Sequence, residues 1–321
     1  MALVDPGKIR NVAVVGHRGA GKTSLVEALL FTAGAKNRLG TVMDGTTTMD
    51  HDEDEIKRQM TISAGLAHAE WARHKLNLVD TPGEASFITE ALGTLPVVET
   101  ALVVVNAVTK VEVQTERLWK RARDMGVARI AAVNMMDRER AYFGEAMEAL
   151  KARFGGEAVA VALPIGEETD FKGVVDLIAG KAYTYAGNTG KGTEGPIPDD
   201  LRDVAAEARE ALVDRVAESD DALLEKYLEG NELTQDEVAA ALAGAIRSGA
   251  VCPVMPVCST KNIGVDRLLE LLLAGPSPAD VPERTALEGS SGTGETKLAT
   301  DAAAPAALFV FKTIYDQFSG R

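Results

Sequence analysis

Eight consecutive residues, Gly16-His17-Arg18-Gly19-Ala20-Gly21-Lys22-Thr23, constrain this fold more than any other stretch, because they match G-x-x-x-x-G-K-[ST]. An apolar run at 11–15 precedes them and a helical pattern at 22–32 follows, so they join a strand to a helix. Such a loop is built for phosphates. Glycines let backbone N–H groups close around an anion, and the helix N-terminus favours its charge. Gly16, His17, Arg18, Gly19, Ala20 and Gly21 form the cradle, with Ser24 in the turn behind it. Lys22 reaches the terminal phosphates, where it is also a candidate for catalysis, and Thr23 offers a hydroxyl to Mg2+.

Further apolar runs rich in Val, Ile and Ala fall at 76–79, 101–106, 130–134, 159–163 and 254–258, and predict buried strands. Helical patterns at 113–125, 142–154 and 265–273 lie between or after them. Alternating strands and helices predict an α/β fold of the P-loop NTPase type, three layers around a mainly parallel sheet. Its chemistry belongs at the carboxyl ends of the strands.

Three short motifs fall at those ends. Asp80-Thr81-Pro82-Gly83 follows the run at 76–79; there Asp80 can hold Mg2+ through water and the Gly83 N–H can meet a third phosphate. Asn134-Met135-Met136-Asp137 follows the run at 130–134. An ionised Asp137 only accepts hydrogen bonds, which suits the ring N–H and amine of guanine and mismatches adenine, so GTP and GDP are the expected ligands. Ser259-Thr260-Lys261 would close over the base carbonyl with backbone N–H groups. The two cysteines, Cys252 and Cys258, are too few for a disulfide framework and are expected as small buried hydrophobes.

Charge separates one segment from the rest. The net charge is -14, and between 194 and 243 there are 15 Asp or Glu against four Lys or Arg, a balance of -11. Acidity of this size argues against direct DNA binding. The acidic segment belongs to an insert subdomain at about 166–250, helical in pattern. Pro198 suits a first turn ahead of a stripe of Leu201, Val204, Ala208 and Leu212; Ser219 can cap a second helix ending near Gly230. Thr234-Gln235-Asp236-Glu237 fits a capping box, with Gly249 past the helix end. Residues 275–304, rich in Gly, Ser, Thr and Ala, are expected as a linker after a nucleotide-binding domain at 1–274, and the insert as dispensable for the core fold. Leu308-Phe309-Val310-Phe311-Lys312 alternates as a strand. No apolar run approaches the roughly 18 residues of a membrane span, so a monomeric cytoplasmic protein without membrane contact is expected.

These motifs, in this order, resemble elongation factor G. The likeness runs through Thr46-Thr47-Thr48-Met49-Asp50, Arg58-Gln59-Met60-Thr61-Ile62, the Asp80 and Asn134 motifs, and Pro164-Ile165-Gly166 at the insert's start. It implies that Thr61 is the switch threonine at the metal and catalytic centre, and that the ribosome, including its stalk region, meets the acidic insert. It also implies that 305–321, with Phe309-Val310-Phe311-Lys312, Asp316, Phe318 and Gly320-Arg321, opens a second, β-barrel domain cut short. Three departures from the family stand out. Glu84 replaces the histidine that positions the attacking water, Met135 replaces a lysine, and Gln59-Met60 replaces Gly-Ile. A carboxylate about 5 Å from a γ-phosphate, at an effective dielectric of about 20, costs of order 3 kcal/mol, enough to slow hydrolysis about a hundredfold. Two readings stand: a GTPase translocase, or a nucleotide-gated ribosome-binding or ribosomal protection protein with little GTPase activity.

Overall fold

A computed structural model describes residues 5–229, 231, 233–281, 283–288, 294–300, 303 and 307–313. In chain order the elements are β1 (Ile9–Val15), α1 (Lys22–Thr32), α2 (Glu53–Arg58), β2 (Gly65–Trp71), β3 (His74–Asp80), α3 (Ile88–Thr94), β4 (Thr100–Asn106), α4 (Val113–Asp124), β5 (Ala128–Asn134) and α5 (Phe143–Phe154). There follow β6 (Ala158–Ala160), β7 (Ala162–Ile165), β8 (Gly173–Asp176), β9 (Lys181–Thr184), β10 (Thr193–Gly195), α6 (Arg202–Ala217), α7 (Asp221–Leu228) and α8 (Gln235–Ser248). The last are β11 (Cys252–Pro256), α9 (Val265–Leu273), β12 (Glu283–Glu288) and β13 (Gly294–Ala299).

Seven strands form the central sheet in the order β2-β3-β1-β4-β5-β11-β6, all parallel except the antiparallel edge pair β2 and β3. Residues 101–105 of β4, 130–133 of β5 and 252–256 of β11 are buried, as helices against each side of a parallel sheet require. Helix α1 packs with α9, and α3 with α4. Parallel register aligns the strand ends: Val14 stands beside Asp80, and Asn106 beside Asn134. Both cysteines are buried, as expected.

The structure corrects the sequence-based expectations in several places. Strand β2 is an edge strand with alternating exposure, so it lacks the apolar run that marks the buried strands. The run at 159–163 is two strands: β6 pairs with β11, Val161 lies between, and β7 pairs with β8 in a second sheet. That sheet, β10-β9-β8-β7, is antiparallel and adds strands to an insert whose pattern announced only helices. Its strands of three or four residues are too short to show a period of two. The insert's helices do form. The capping box Thr234–Glu237 is present and Gly249 ends α8 in the left-handed region, φ 75°. On α6, however, the buried face is Ala205, Leu212 and Val216, while Val204 is exposed. Asp220, rather than Ser219, accepts the Leu223 N–H at the start of α7, and Gly230 lies outside the described residues.

Nor is the insert separable, because Phe171, Val174, Val175, Leu212, Leu242 and Ile246 belong to the same apolar core as the central sheet. The expected linker contains the hairpin β12–β13, with residues 289–293 outside the described residues. Arg284 ties it to Pro96 O (3.3 Å) and to the buried Glu99, contacts that composition does not announce. Residues 307–313 form no strand; Leu308, Phe309 and Val310 are exposed, and a strand without a partner strand has nothing to pair its backbone. Lys312 Nζ donates to Ala64 O. Asp316, Phe318, Gly320 and Arg321 lie outside the described residues.

Candidate functional site

The motifs predicted at strand ends meet at the carboxyl ends of β1, β3, β5 and β11. Helix α1 begins at Lys22 with no side chain capping its N-terminus, which leaves its first N–H groups for an anion. Gly21 precedes it at φ 82°, and a Cβ there would fall 2.5 Å from Asn134 Nδ2. Gly83 lies so close to the cradle that a Cβ would sit 2.3 Å from Lys22 Nζ and 2.6 Å from Arg18 N. The loop from β3 thus rests directly on the loop from β1. Lys22 Nζ donates to His17 O at 3.0 Å. Burial pulls Lys22 down to about 8, against the raising effect of Asp80 and Asp50.

Beneath Lys22 four oxygens form a chain. Thr23 Oγ1 donates to Asp80 Oδ2 at 2.7 Å and lies 2.9 Å from Thr61 Oγ1, and Thr61 Oγ1 donates to Asp50 Oδ1 at 2.8 Å. Burial raises both carboxyls, Asp80 to about 7, with the Thr23 hydroxyl acting against it. Asp80 Oδ1 is buried without a partner. Among the described residues no three His, Cys, Asp or Glu converge, so a cation here would complete its shell from hydroxyls, water and phosphate, as Mg2+ does. An all-oxygen donor set with one buried oxygen unsatisfied fits that ion.

At the end of β5, Asn134 is fully buried and acts as a clasp: Nδ2 donates to Ala20 O at 3.0 Å, and Oδ1 accepts the Ser259 N–H at 3.0 Å. It therefore holds the phosphate loop and the 259–261 loop in mutual register. Met135 takes a left-handed backbone, φ 65°, and its thioether lies 3.4 Å from Asn106 Nδ2 while its methyl lies over Gly21, as the stem of a lysine could. Asp137 Oδ1 is buried and unpartnered, and Oδ2 is 3.8 Å from Lys261 Nζ. Ser259 is buried, whereas Thr260 and Lys261 are exposed at the turn. Thr81 is fully buried and bonds Val14 O at 2.7 Å, so it holds the β3 loop in place; Pro82 is buried beside it and Ser24 half-buried behind Thr23.

Two carboxylates in this region carry no spacing signature and were not assigned from sequence. Asp50 joins the threonine chain, and Glu27, fully buried on α1, accepts the N–H groups of Gly40 (3.2 Å) and Thr48 (2.9 Å) and pairs with Lys36. Glu27 anchors the loop that carries Asp50 towards Thr61 and Thr23. Their only sequence signal is an acid in an apolar helix and an acid eleven residues before Thr61. Glu84 caps the short turn Ala85–Phe87 and pairs with Arg18.

A parallel sheet with this loop-to-helix junction and an Asp-x-x-Gly turn on the adjacent strand defines a nucleotide-binding domain of the P-loop GTPase class. The family model of the elongation factor Tu GTP binding domain matches residues 7–276, and the chain belongs to that family: it is a GTP-binding translation-factor GTPase domain. It is similar to a crystal structure of a protein from Thermus thermophilus, at 37% identity and a TM-score of 0.81 over 87% of this chain. The chain spans 42% of that protein's length.

Proposed function

We propose that the chain is the GTP-binding domain of an elongation-factor-G-like, ribosome-associated factor that holds GTP or GDP with Mg2+ and hydrolyses GTP slowly. The carrying observation is the buried, unpartnered Asp137 Oδ1, since an unmet acceptor costs about 1–3 kcal/mol until a donor such as a guanine N–H arrives. Thr23, Thr61 and Asp80, the last through water, would hold Mg2+, which neutralises phosphate charge. Asp50 orients Thr61. Lys22 and the N–H groups of 16–24 hold the phosphates, and the Gly83 N–H is placed for the terminal one. Met135 lies along the sugar side in place of a lysine stem. Glu84 in the water-positioning place supports slow turnover, and a nucleotide-gated ribosome-binding or ribosomal protection role follows if turnover is negligible.

On this reading 1–274 is the GTP-binding domain with an insert at about 166–250, and 305–321 opens a second domain. The acidic insert meets basic ribosomal components, in the cytoplasm. No helix among the described residues is long and apolar enough to cross a membrane. Calorimetric titration of GTP, GDP and ATP, with and without Mg2+, tests the nucleotide assignment. ATP should bind at least about a hundredfold more weakly, because adenine leaves Asp137 unsatisfied. Comparable ATP affinity would remove the base-reading role.

A further inference from the structure

Glu84 follows Gly83, whose close approach sets the carboxylate on the rim of the phosphate cradle. Its two oxygens are committed separately: Oε1 accepts the Ala85 N–H at 3.1 Å, and Oε2 accepts from Arg18 Nη1 at 3.1 Å. Arg18 stands at a variable position of the G-x-x-x-x-G-K-T motif, where the backbone serves the phosphates and the side chain is free to be used elsewhere. Here it crosses from the β1 loop to the β3 loop. Neither residue makes another ion pair among the described residues.

We infer that Arg18 is the counter-charge that allows Glu84 to stand beside a bound triphosphate, and so a residue that sets the preference for GTP over GDP. The inference rests on the guanine-nucleotide reading above. A bare carboxylate on this rim repels a third phosphate and leaves a diphosphate almost untouched, because the interaction falls with distance. Paired with a guanidinium, the charge becomes a short dipole whose field decays faster. The pair is partly exposed, with side-chain accessibilities of 61% for Arg18 and 29% for Glu84, so solvent already screens part of the repulsion. Removing the Arg18 side chain should therefore weaken triphosphate binding about tenfold relative to diphosphate, less than full Coulomb repulsion would give.

Equilibrium binding of GTPγS and of GDP, each with Mg2+, to wild type, R18A, R18K, E84Q and the double variant R18A/E84Q tests this. R18A should lose about tenfold for GTPγS with GDP nearly unchanged, while R18K keeps most of the wild-type ratio because it keeps the charge. E84Q leaves the Arg18 charge on the rim and should bind GTPγS at least as tightly as wild type, and R18A/E84Q should return close to the wild-type ratio, since neither charge remains. Melting midpoints without nucleotide should stay together across the set, because an exposed pair adds little stability. Equal loss of both nucleotides in R18A, no loss at all, or a loss that persists in R18A/E84Q would overturn the assignment. A wild type that binds neither nucleotide removes the guanine-nucleotide reading itself, and this inference with it.

Discussion

Asn134 illustrates what a motif conceals at the scale of a residue. Its place in N-x-x-D was legible, but the structure makes it a buried joint between the Ala20 carbonyl and the Ser259 N–H, with Asp137 Oδ1 left unpartnered beside it. Motifs record spacing along the chain, whereas the joint depends on parallel register that places three loops side by side. Asp50 and Glu27 were missed for the same reason: each acts on a loop distant in sequence, without a pattern of its own. Asn134→Ala strips partners from buried backbone groups and should cost about 2–3 kcal/mol in urea unfolding. Binding of GTP and GDP should fall together, since the joint serves both ends of the site. An unchanged urea midpoint would show that the loops hold their register without it.

At the scale of elements, long buried strands and capped helices were legible, and short or edge strands were not. Helix α1 runs over the predicted residues because its start is set by a glycine loop, and α8 because Thr234 and Gly249 mark both ends. The strands β7 to β10 carry too few residues for periodicity and are specified by pairing across the insert. The α8 cap gives a pH-linked prediction. Lys226 and Thr234 hold the Glu237 carboxyl down to about 2, below its ordinary 4.5. A depressed carboxyl stabilises the fold above the unfolded-state value and loses that contribution as pH falls towards the folded-state value. Thr234→Ala should therefore lower the denaturant midpoint at neutral pH. The gap to wild type should narrow between pH 4.5 and 2. A gap that is constant with pH would mean that Glu237 and Thr234 act independently.

For the whole molecule, the uneven charge was legible and the shared core was not. The acidic segment carries -11 of the -14 net charge, yet the insert that contains it buries Val174, Leu212, Leu242 and Ile246 in the same core as the central sheet. Arg129, itself buried, spans Glu157 (3.1 Å) and Gly249 O (2.7 Å) at the junction. Deleting the insert would expose that core, so its charge is better tested by neutralising exposed acids on α6 and α7. Ribosome pelleting should fall with neutralisation and should weaken with salt in wild type, since such steering is screened over about 8 Å at physiological ionic strength. Equal, salt-insensitive pelleting would make the acidic face ordinary surface. In the proposed function Asp137 presents acceptors to a guanine edge, and Asp137→Asn alters those acceptors alone. An amide replaces one acceptor with a donor, which suits a base bearing a carbonyl where guanine bears its amine. The variant should lose GTP by about a hundredfold and gain xanthosine triphosphate, with melting little changed. A variant that keeps GTP and ignores xanthosine triphosphate would mean that Asp137 does not read the base.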